Sequence, residues 1–407
     1  LRLPIVFILI TVMLDAMGIG LIIPVMPDLI LEVQGGTLAS AAIWGGVLST
    51  VFAVMQFLFG PIIGALSDRF GRRPILLISL VVMSLDYLVM AVAGTLWLLL
   101  LGRVVGGITA ATGPTASAYM ADISQPHEKA ANFGLIGAAF GAGFVLGPMI
   151  GGMLAEFGTR APFYASALLA AVNAVFGYFV LKETVTDRIR RPFTWSRANP
   201  FGAFRHVARL PGIGRLLLIY LLYSIAFYVY PAVWSYFTQE RFAWSPQMIG
   251  LSLGLFGIMM AVVQGGLIRV LLRWLGERNT VIYGHVFDIA AFGAMAIITS
   301  GTLALILTPL AALGAVITPA LSAMMSRAVG DDAQGELQGV LASLHALAMI
   351  VSPLIMTGIF AAFTREGTAF YLPGAPFVLS MVLMVISLGV FLGRRRPVEQ
   401  ATSDIAA

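Results

Sequence analysis

The sequence predicts an all-α polytopic membrane protein with twelve transmembrane helices in two pseudo-symmetric six-helix bundles. Three observations carry this. First, 59% of the 407 residues are hydrophobic and only 11% are charged, with a mean hydropathy of +0.95. A soluble chain carries about 25% charged residues, so a cytosolic enzyme, a nucleic-acid binder and a disordered chain are excluded. Second, the apolar runs are continuous, as in Leu76-Leu77-Ile78-Ser79-Leu80-Val81-Val82-Met83. A membrane β-barrel would alternate apolar and polar residues. Third, one constant shift of 205 residues aligns the two halves of the chain. It places Gly45 on Gly250, Gly71 on Gly276, Arg73 on Arg278, Pro114 on Pro319, Ser117 on Ser322, Gly134 on Gly339 and Pro148 on Pro353. Helix breakers matched at one offset in separate places mark an internal repeat.

A bilayer span needs about 20–25 residues. Spans are predicted at 4–27, 41–66, 74–95, 97–121, 131–156, 160–182, 214–238, 247–272, 279–301, 303–326, 336–362 and 370–393. They divide the chain into a first bundle (1–182), a linker (183–213), a second bundle (214–396) and a tail (397–407). The first run is too long for a cleavable leader and has no small-residue site behind it, so it reads as a span. It carries Asp15 near its centre, as the third span carries Asp86 and the ninth Asp288. A central acid costs about 2.5–3.5 kcal/mol on insertion, which is hard to explain as packing in so charge-poor a chain. Burial disfavours the ionised form and a nearby cation favours it. An acid between those influences can load and release a proton. Asp288 maps within one turn of Asp86 across the repeat. The alternative is a neutral acid that ties two helices together.

The second span holds Gln56 and ends in the loop Gly64-Ala65-Leu66-Ser67-Asp68-Arg69-Phe70-Gly71-Arg72-Arg73-Pro74. Gly64 suits a close helix approach, Gly71 a tight turn and Pro74 the first turn of the next helix. Asp68 stands at a helix carboxyl end, where the dipole disfavours it, so it needs a cationic partner. The fourth span holds Arg103, the one basic residue inside a span, which needs an acid or a carbonyl cluster. In the fifth, Gly143, Gly147 and Gly151 repeat every four residues and form a flat packing face, bent at Pro148. The linker, with Arg188, Arg190, Arg191, Trp195, Arg197 and His206, reads as a connection suited to the membrane surface.

The seventh span carries Tyr220, Tyr223, Phe227, Tyr230 and Trp234 at steps of three and four. This stripe fits either interhelix packing or a stacking wall for a flat polycyclic molecule. Gln264 in the eighth span is a neutral hydrogen-bonding candidate like Gln56. His285 shares a face with Asp288. In the eleventh span Gln338, His345 and Ser352 share a face. A buried histidine is more often a satisfied structural residue, and no metal-binding cluster is predicted.

Of the 24 lysines and arginines, all lie at the end bearing both termini except Arg103, Arg160, Arg241 and Arg365. The asymmetry puts both termini in the cytoplasm and accounts for the net charge of +5 without a nucleic acid. Without cysteine, thiol and disulfide chemistry is absent. No phosphate loop, nucleophile elbow or metal-ligand pair is present, so neither an enzyme nor ATP hydrolysis is expected. The isolated acids do not supply the continuous polar pore of a channel. A receptor or scaffold would leave the central acids without purpose.

The loop from Gly64 to Arg73 resembles the G-x-x-x-D-R-x-G-R-R signature of the major facilitator superfamily. The resemblance implies two rocking bundles and makes Gly64, Asp68, Arg69, Gly71, Arg72 and Arg73 parts of a cytoplasmic gate. The string Gly137 to Gly152 is similar to the helix-5 motif of that superfamily's proton-driven exporters. The strings Leu14 to Ile22, Ser84 to Leu88, Leu101-Gly102-Arg103, Phe237 to Trp244 and Gly335 to Gly339 look like the tetracycline/proton antiporters. One departure is Met260, where several of that family have a histidine. This resemblance gives Asp15, Asp86, Asp288 and Arg103 roles in substrate recognition and proton coupling. It implies a monomeric, cofactor-free exporter in a bacterial inner membrane, surrounded by lipid and driven by the proton gradient. The expected substrate is a small lipophilic drug, tetracycline-like, cationic or carried as a divalent-metal chelate. Another solute, such as a sugar, a lipid or a metabolite, is the alternative within the superfamily.

Overall fold

The computed structural model describes residues 3–110, 112–186, 190, 192–195, 198–202, 212–330 and 333–393. Arg188, Arg191, Arg197 and His206 of the linker and the tail 397–407 lie outside the described residues. Among those described, all regular structure is helical.

Eleven continuous segments of the described residues are long and apolar enough to cross a membrane. One of them, Pro246–Ile297, is 52 residues long. It is two arms that meet at Gly276, whose φ of 71° and ψ of 170° are not helical. Glycine reaches that conformation without a Cβ clash. The described residues therefore make twelve crossings. They are α1 (Leu3–Gln34), α2 (Leu38–Phe70), α3 (Arg72–Val92), α4 (Leu96–Ile123), α5 (Lys129–Leu154), α6 (Ala161–Val180), α7 (Gly214–Phe242), α8 (246–275), α9 (277–297), α10 (Gly301–Ala328), α11 (Gln334–Thr364) and α12 (Ala375–Leu392).

Helices α2, α4, α8 and α10 start at the end away from the linker. Each start is capped by a hydroxyl. Thr37, Thr95, Ser245 and Ser300 accept from the backbone N–H groups of Ser40, Leu98, Met248 and Leu303, which satisfies donors that the helix leaves unpaired. Thr95 and Ser300 are related by the same 205-residue shift.

Prolines break three of the crossings. Proline has no N–H and its ring collides with the carbonyl four residues back. Pro114 thus opens α4 at Ala110 (φ −68°, ψ 32°), and Pro319 opens α10 at Ala315 (φ −68°, ψ 15°). The two breaks are repeat partners. Pro231 divides α7 between Phe227 and Val229, where the sequence predicts one unbroken span. A π-helical turn at Val263–Leu267 interrupts α8.

Six crossings precede the linker and six follow it. Within the first half, α1 and α5 pack at backbone distance. A Cβ on Gly147 would lie 2.6 Å from the Met17 carbonyl oxygen and 2.8 Å from the Gly20 Cα. Between the halves, α5 crosses α8 and α2 crosses α11, both at the end away from the linker. Gly250 of α8 abuts Pro148 and Gly152 of α5, and Gly46 of α2 abuts Pro353 and Thr357 of α11. Toward the arginine-rich end the same helices part. A Cβ on Gly60, Gly64, Gly134, Gly137, Gly141, Gly265 or Gly335 would meet nothing within 4 Å. The halves therefore form a cleft closed at one end and open at the end that bears the linker. Gly64 makes no close helix approach in this state.

Candidate functional site

The acids predicted to be central sit beside the helix breaks. Asp86 of α3 is buried against α4, in a notch formed by Gly102 and Gly106. A Cβ on Gly102 would lie 2.8 Å from its Oδ1. Arg103 Nη2 donates to Asp86 Oδ2 at 2.5 Å. The guanidinium also lies 5.0 Å from the Phe52 ring centroid of α2 and 2.7 Å from Met90 Sδ. Asp15 of α1 lies beside Thr112, just past the α4 break. The buried Tyr87 is close enough to Asp15, Asp86 and Arg103 to feel all three charges. These residues form one polar group in the first half.

Asp288 of α9 has a different setting. It is 2% exposed and fills the notch left by Gly314 at the α10 break. Its neighbours are Tyr223 and Tyr230 of α7 and Tyr283. Among the described residues neither Asp15 nor Asp288 has an ion-pair partner. Asp15 Oδ1 and Asp288 Oδ2 are buried without a hydrogen bond. Arg103 thus neutralises one of three intramembrane acids.

The two glutamines occupy matched places. Gln56 Nε2 donates to the Ala110 carbonyl at 3.3 Å, and Gln264 Nε2 donates to the Ala315 carbonyl at 3.2 Å. These are the carbonyls that Pro114 and Pro319 leave without a helical donor. Gln264 sits in the π-helical turn of α8, beside Met260.

The aromatic stripe of α7 splits. The Tyr230 ring lies 5.3–5.8 Å from Phe256, Phe292 and Phe377. Trp234 donates to Ser252 at 2.9 Å. Both are held in packing within the second half. Tyr220 and Tyr223 are buried, and Tyr223 and Phe227 are stacked 5.5 Å apart. His285 turns away from Asp288. It bonds the Val281 carbonyl at 2.8 Å and Ser387 at 2.9 Å, so it ties α9 to α12. Gln338 and His345 are exposed on α11.

The loop between α2 and α3 is a network. Arg72 pairs with Asp68 at 2.5 Å and with Asp122 of α4 at 3.3 Å, and donates to Ser67 at 2.6 Å. Arg73 donates to the Tyr178 carbonyl at 2.8 Å and stacks on that ring. Arg69 lies over Phe70. Glu183, just past α6, accepts from the backbone N–H groups of Arg72 (2.9 Å) and Arg73 (3.2 Å). It thereby caps the amino end of α3, where the dipole favours an anion. Gly71 has a φ of 115°, and a Cβ there would strike the Glu183 carboxylate. Sequence reasoning missed Asp122 and Glu183. The one signal was the presence of two acids in a strongly basic set of loops. In the second half Gly276 repeats Gly71, and Glu277 pairs with Arg327 of α10. By the 205-residue shift these are the partners of Arg72 and Asp122, with the charges exchanged.

Gly143, Gly147 and Gly151 all face α1, and Pro148 lies at the crossings with both α1 and α8. Among the described residues no group of three or more His, Asp or Glu is placed to hold a metal ion.

Residues 8–314 match the Major Facilitator Superfamily. The chain is 42% identical to the tetracycline resistance protein, class C, of Escherichia coli over 91% of this chain and 93% of that one. It is 38% identical to the class G protein of Vibrio anguillarum, over 96% of each. The solved structure of the human organic anion transporter MFSD10 superposes with a TM-score of 0.70 at 25% identity, covering 96% of this chain and 99% of that one. The chain is a transporter, and it belongs to the Major Facilitator Superfamily, within the family of the tetracycline resistance proteins.

Proposed function

We propose that this protein exports a lipophilic, tetracycline-like drug in exchange for protons, by alternating access. One observation carries the coupling. Three acids lie at the centre of the membrane, and among the described residues only Asp86 has a cation beside it. A buried carboxylate without a partner is costly, and a bound proton removes that cost. Asp15 and Asp288 are thus sites whose charge changes with what the cleft holds. The names of the relatives supply the drug class.

The arginine-rich end is the cytoplasmic one, as the charge bias of the loops directs, in a bacterial inner membrane. The cleft in this state is therefore open inward. Drug enters from the cytoplasm or the inner leaflet, cationic or as a divalent-metal chelate. It binds between the halves near Gln56, Gln264, Tyr220, Tyr223, Phe227, Gln338 and His345. Rocking opens the outer seam, and protonation of Asp15, Asp86 or Asp288 from outside displaces the drug. The network from Asp68 to Arg73 holds the inner gate when it closes. The protein works as a monomer without a resident cofactor, since the proton gradient supplies the energy.

The test is drug-driven proton release from the purified protein, and exchange in everted vesicles. Tetracycline is expected to release protons from the parent and not from Asp288→Asn. Normal exchange by Asp288→Asn overturns the coupling role of that residue. Release driven by an organic anion or a sugar, and not by tetracycline, overturns the drug reading in favour of another solute.

A further inference from the structure

Among the described residues, three polar hydrogen bonds cross the closed seam between the halves. Thr50 of α2 donates to the Ile350 carbonyl of α11 at 3.0 Å. Ser235 of α7 donates to the Ile23 carbonyl of α1 at 2.9 Å. Gln239 Nε2 of α7 donates to Asp28 Oδ1 of α1 at 2.5 Å. Only the last includes an ionisable group, and it lies at the outer end of the cleft, where protons arrive. The bond is also incomplete. Gln239 Oε1 is buried without a partner, as is the hydroxyl of Tyr236 one turn away.

The chemistry of the two groups explains the orphan. An ionised carboxylate can only accept, so it cannot satisfy Gln239 Oε1. A carboxylic acid can accept from Nε2 and donate to Oε1 at once. The result is a cyclic acid–amide pair with no net charge and no unpaired atom. Among the described residues no cation faces Asp28 to favour the ionised form instead. On its own helix, Glu32 is paired with Arg160. On α7, Tyr236 is neutral, Glu240 accepts from Tyr371 at 2.7 Å and Arg241 donates to the Ile298 carbonyl. Burial, with the bond to Glu240 and its charge, pushes the Tyr371 phenol up to about 12. The α2 helix has no titratable group between Leu38 and Ser67. The one titratable group on the outer arm of α4, Arg103, is held by Asp86.

We propose that Asp28 and Gln239 form a proton-operated latch on the outer mouth. Protonated Asp28 completes the acid–amide pair across the two halves and holds the mouth shut. Loss of the proton leaves a half-buried anion against an unpaired carbonyl. Opening the mouth returns both to water, so the ionised form favours the open state. Resting on the exchange reading above, the latch gives the cycle its direction. The outer mouth closes behind a proton and stays free to open for drug when none is bound.

The chain has no cysteine, so a single Thr357→Cys reports on the seam. Thr357 is 1% exposed and lies at the α2–α11 crossing. Labelling uses a membrane-impermeant maleimide on intact cells, without drug. Because the thiolate fraction itself falls with pH, every rate is taken relative to that of a single Ala369→Cys protein, exposed in the outer loop between α11 and α12, at the same pH. On that relative scale, acidifying the outside from about pH 8 to about pH 5.5 is expected to slow labelling by about threefold or more. Asp28→Asn keeps a paired amide and is expected to label slowly at both pH values. Asp28→Ala and Gln239→Leu are expected to label fast at both. An Asp28→Asn protein that keeps more than half of the parent's pH response overturns the proposal, as does a parent with no response. Thermal unfolding of each variant reports folding separately. Tetracycline–proton exchange is measured on the same Thr357→Cys protein. Loss of exchange with an intact labelling response overturns the export reading and leaves the latch standing.

Discussion

Gln264 donates to the carbonyl of Ala315 at 3.2 Å, and Ala315 stands four residues before Pro319. The glutamine therefore supplies the donor that the proline lacks. Its counterpart Gln56 does the same for Ala110 and Pro114 in the first half. Each break gives its helix a bend next to a membrane acid, Asp288 in one half and Asp15 in the other. The side chain from a neighbouring helix keeps the bend from leaving a carbonyl bare in apolar surroundings.

Replacing Gln264 with Leu is expected to cost about 1–3 kcal/mol of stability, the penalty of an unpaired buried acceptor. In a Pro319→Ala background the new N–H of residue 319 reaches the Ala315 carbonyl, and the cost of Gln264→Leu should largely vanish. Unfolding of the four proteins in detergent gives the coupling. Equal costs in both backgrounds would mean that Gln264 acts elsewhere.

Arg103 is expected to matter first for stability. Its removal leaves Asp86 buried without a cation, and broken buried pairs cost about 3–5 kcal/mol. Arg103→Met should therefore unfold at a much lower temperature than the parent. Combining it with Asp86→Asn should recover most of the loss, because no charge then remains in the Gly102–Gly106 notch. Proton release by the stable double variant shows whether Asp86 also takes part in coupling. A double variant no more stable than Arg103→Met counts against the ion pair as the cause.

The membrane class, the repeat, the central acids and the glycine face of α5 were all legible in the sequence. Each rests on a pattern local to one helix or on a constant shift. What was hidden depends on partners that meet only after folding. Asp28 reads as a boundary acid at the end of a long apolar run, and only the return of α7 brings Gln239 to it. Glu183 reads as the start of a linker, and only the turn at Gly71 places two N–H groups on its carboxylate. Gln56 and Gln264 were visible as polar residues in apolar spans. Their tasks follow from where the helices break, which a proline announces but whose neighbour it does not name.

The two inner-end bridges should differ in strength although they are repeat partners. Arg72 has two acids and a serine hydroxyl around it, and its side chain is 14% exposed. Arg327 has Glu277 and is 70% exposed. Solvent screens the second pair, so Arg327→Ala is expected to cost about 0–1 kcal/mol. Arg72→Ala leaves Asp68 and Asp122 without their shared cation and should cost more. Because the charges are exchanged between the halves, Glu277→Arg with Arg327→Glu should behave like the parent in unfolding and in transport, whereas either reversal alone juxtaposes like charges. A double reversal no better than the singles would show that the polarity itself matters.

Two glycines on the same crossing region separate folding from gating. Gly147 faces α1 within one half, where a Cβ would sit 2.6 Å from a carbonyl oxygen. Gly147→Ala is therefore expected to cost about 1–3 kcal/mol through overpacking, with the state of the outer mouth unchanged. Gly250 faces Pro148 and Gly152 across the seam between the halves, where a Cβ would lie 3.1 Å from the Pro148 carbonyl carbon and 3.2 Å from the Gly152 Cα. A bulkier side chain there can be relieved by parting the halves and needs no repacking inside either. Gly250→Val should thus unfold close to the parent temperature. It should raise external labelling of Thr357→Cys at neutral and acidic pH alike, because the wedge acts whether or not Asp28 carries a proton. A Gly250→Val protein that labels like the parent would mean that the α5–α8 contact does not limit opening of the seam.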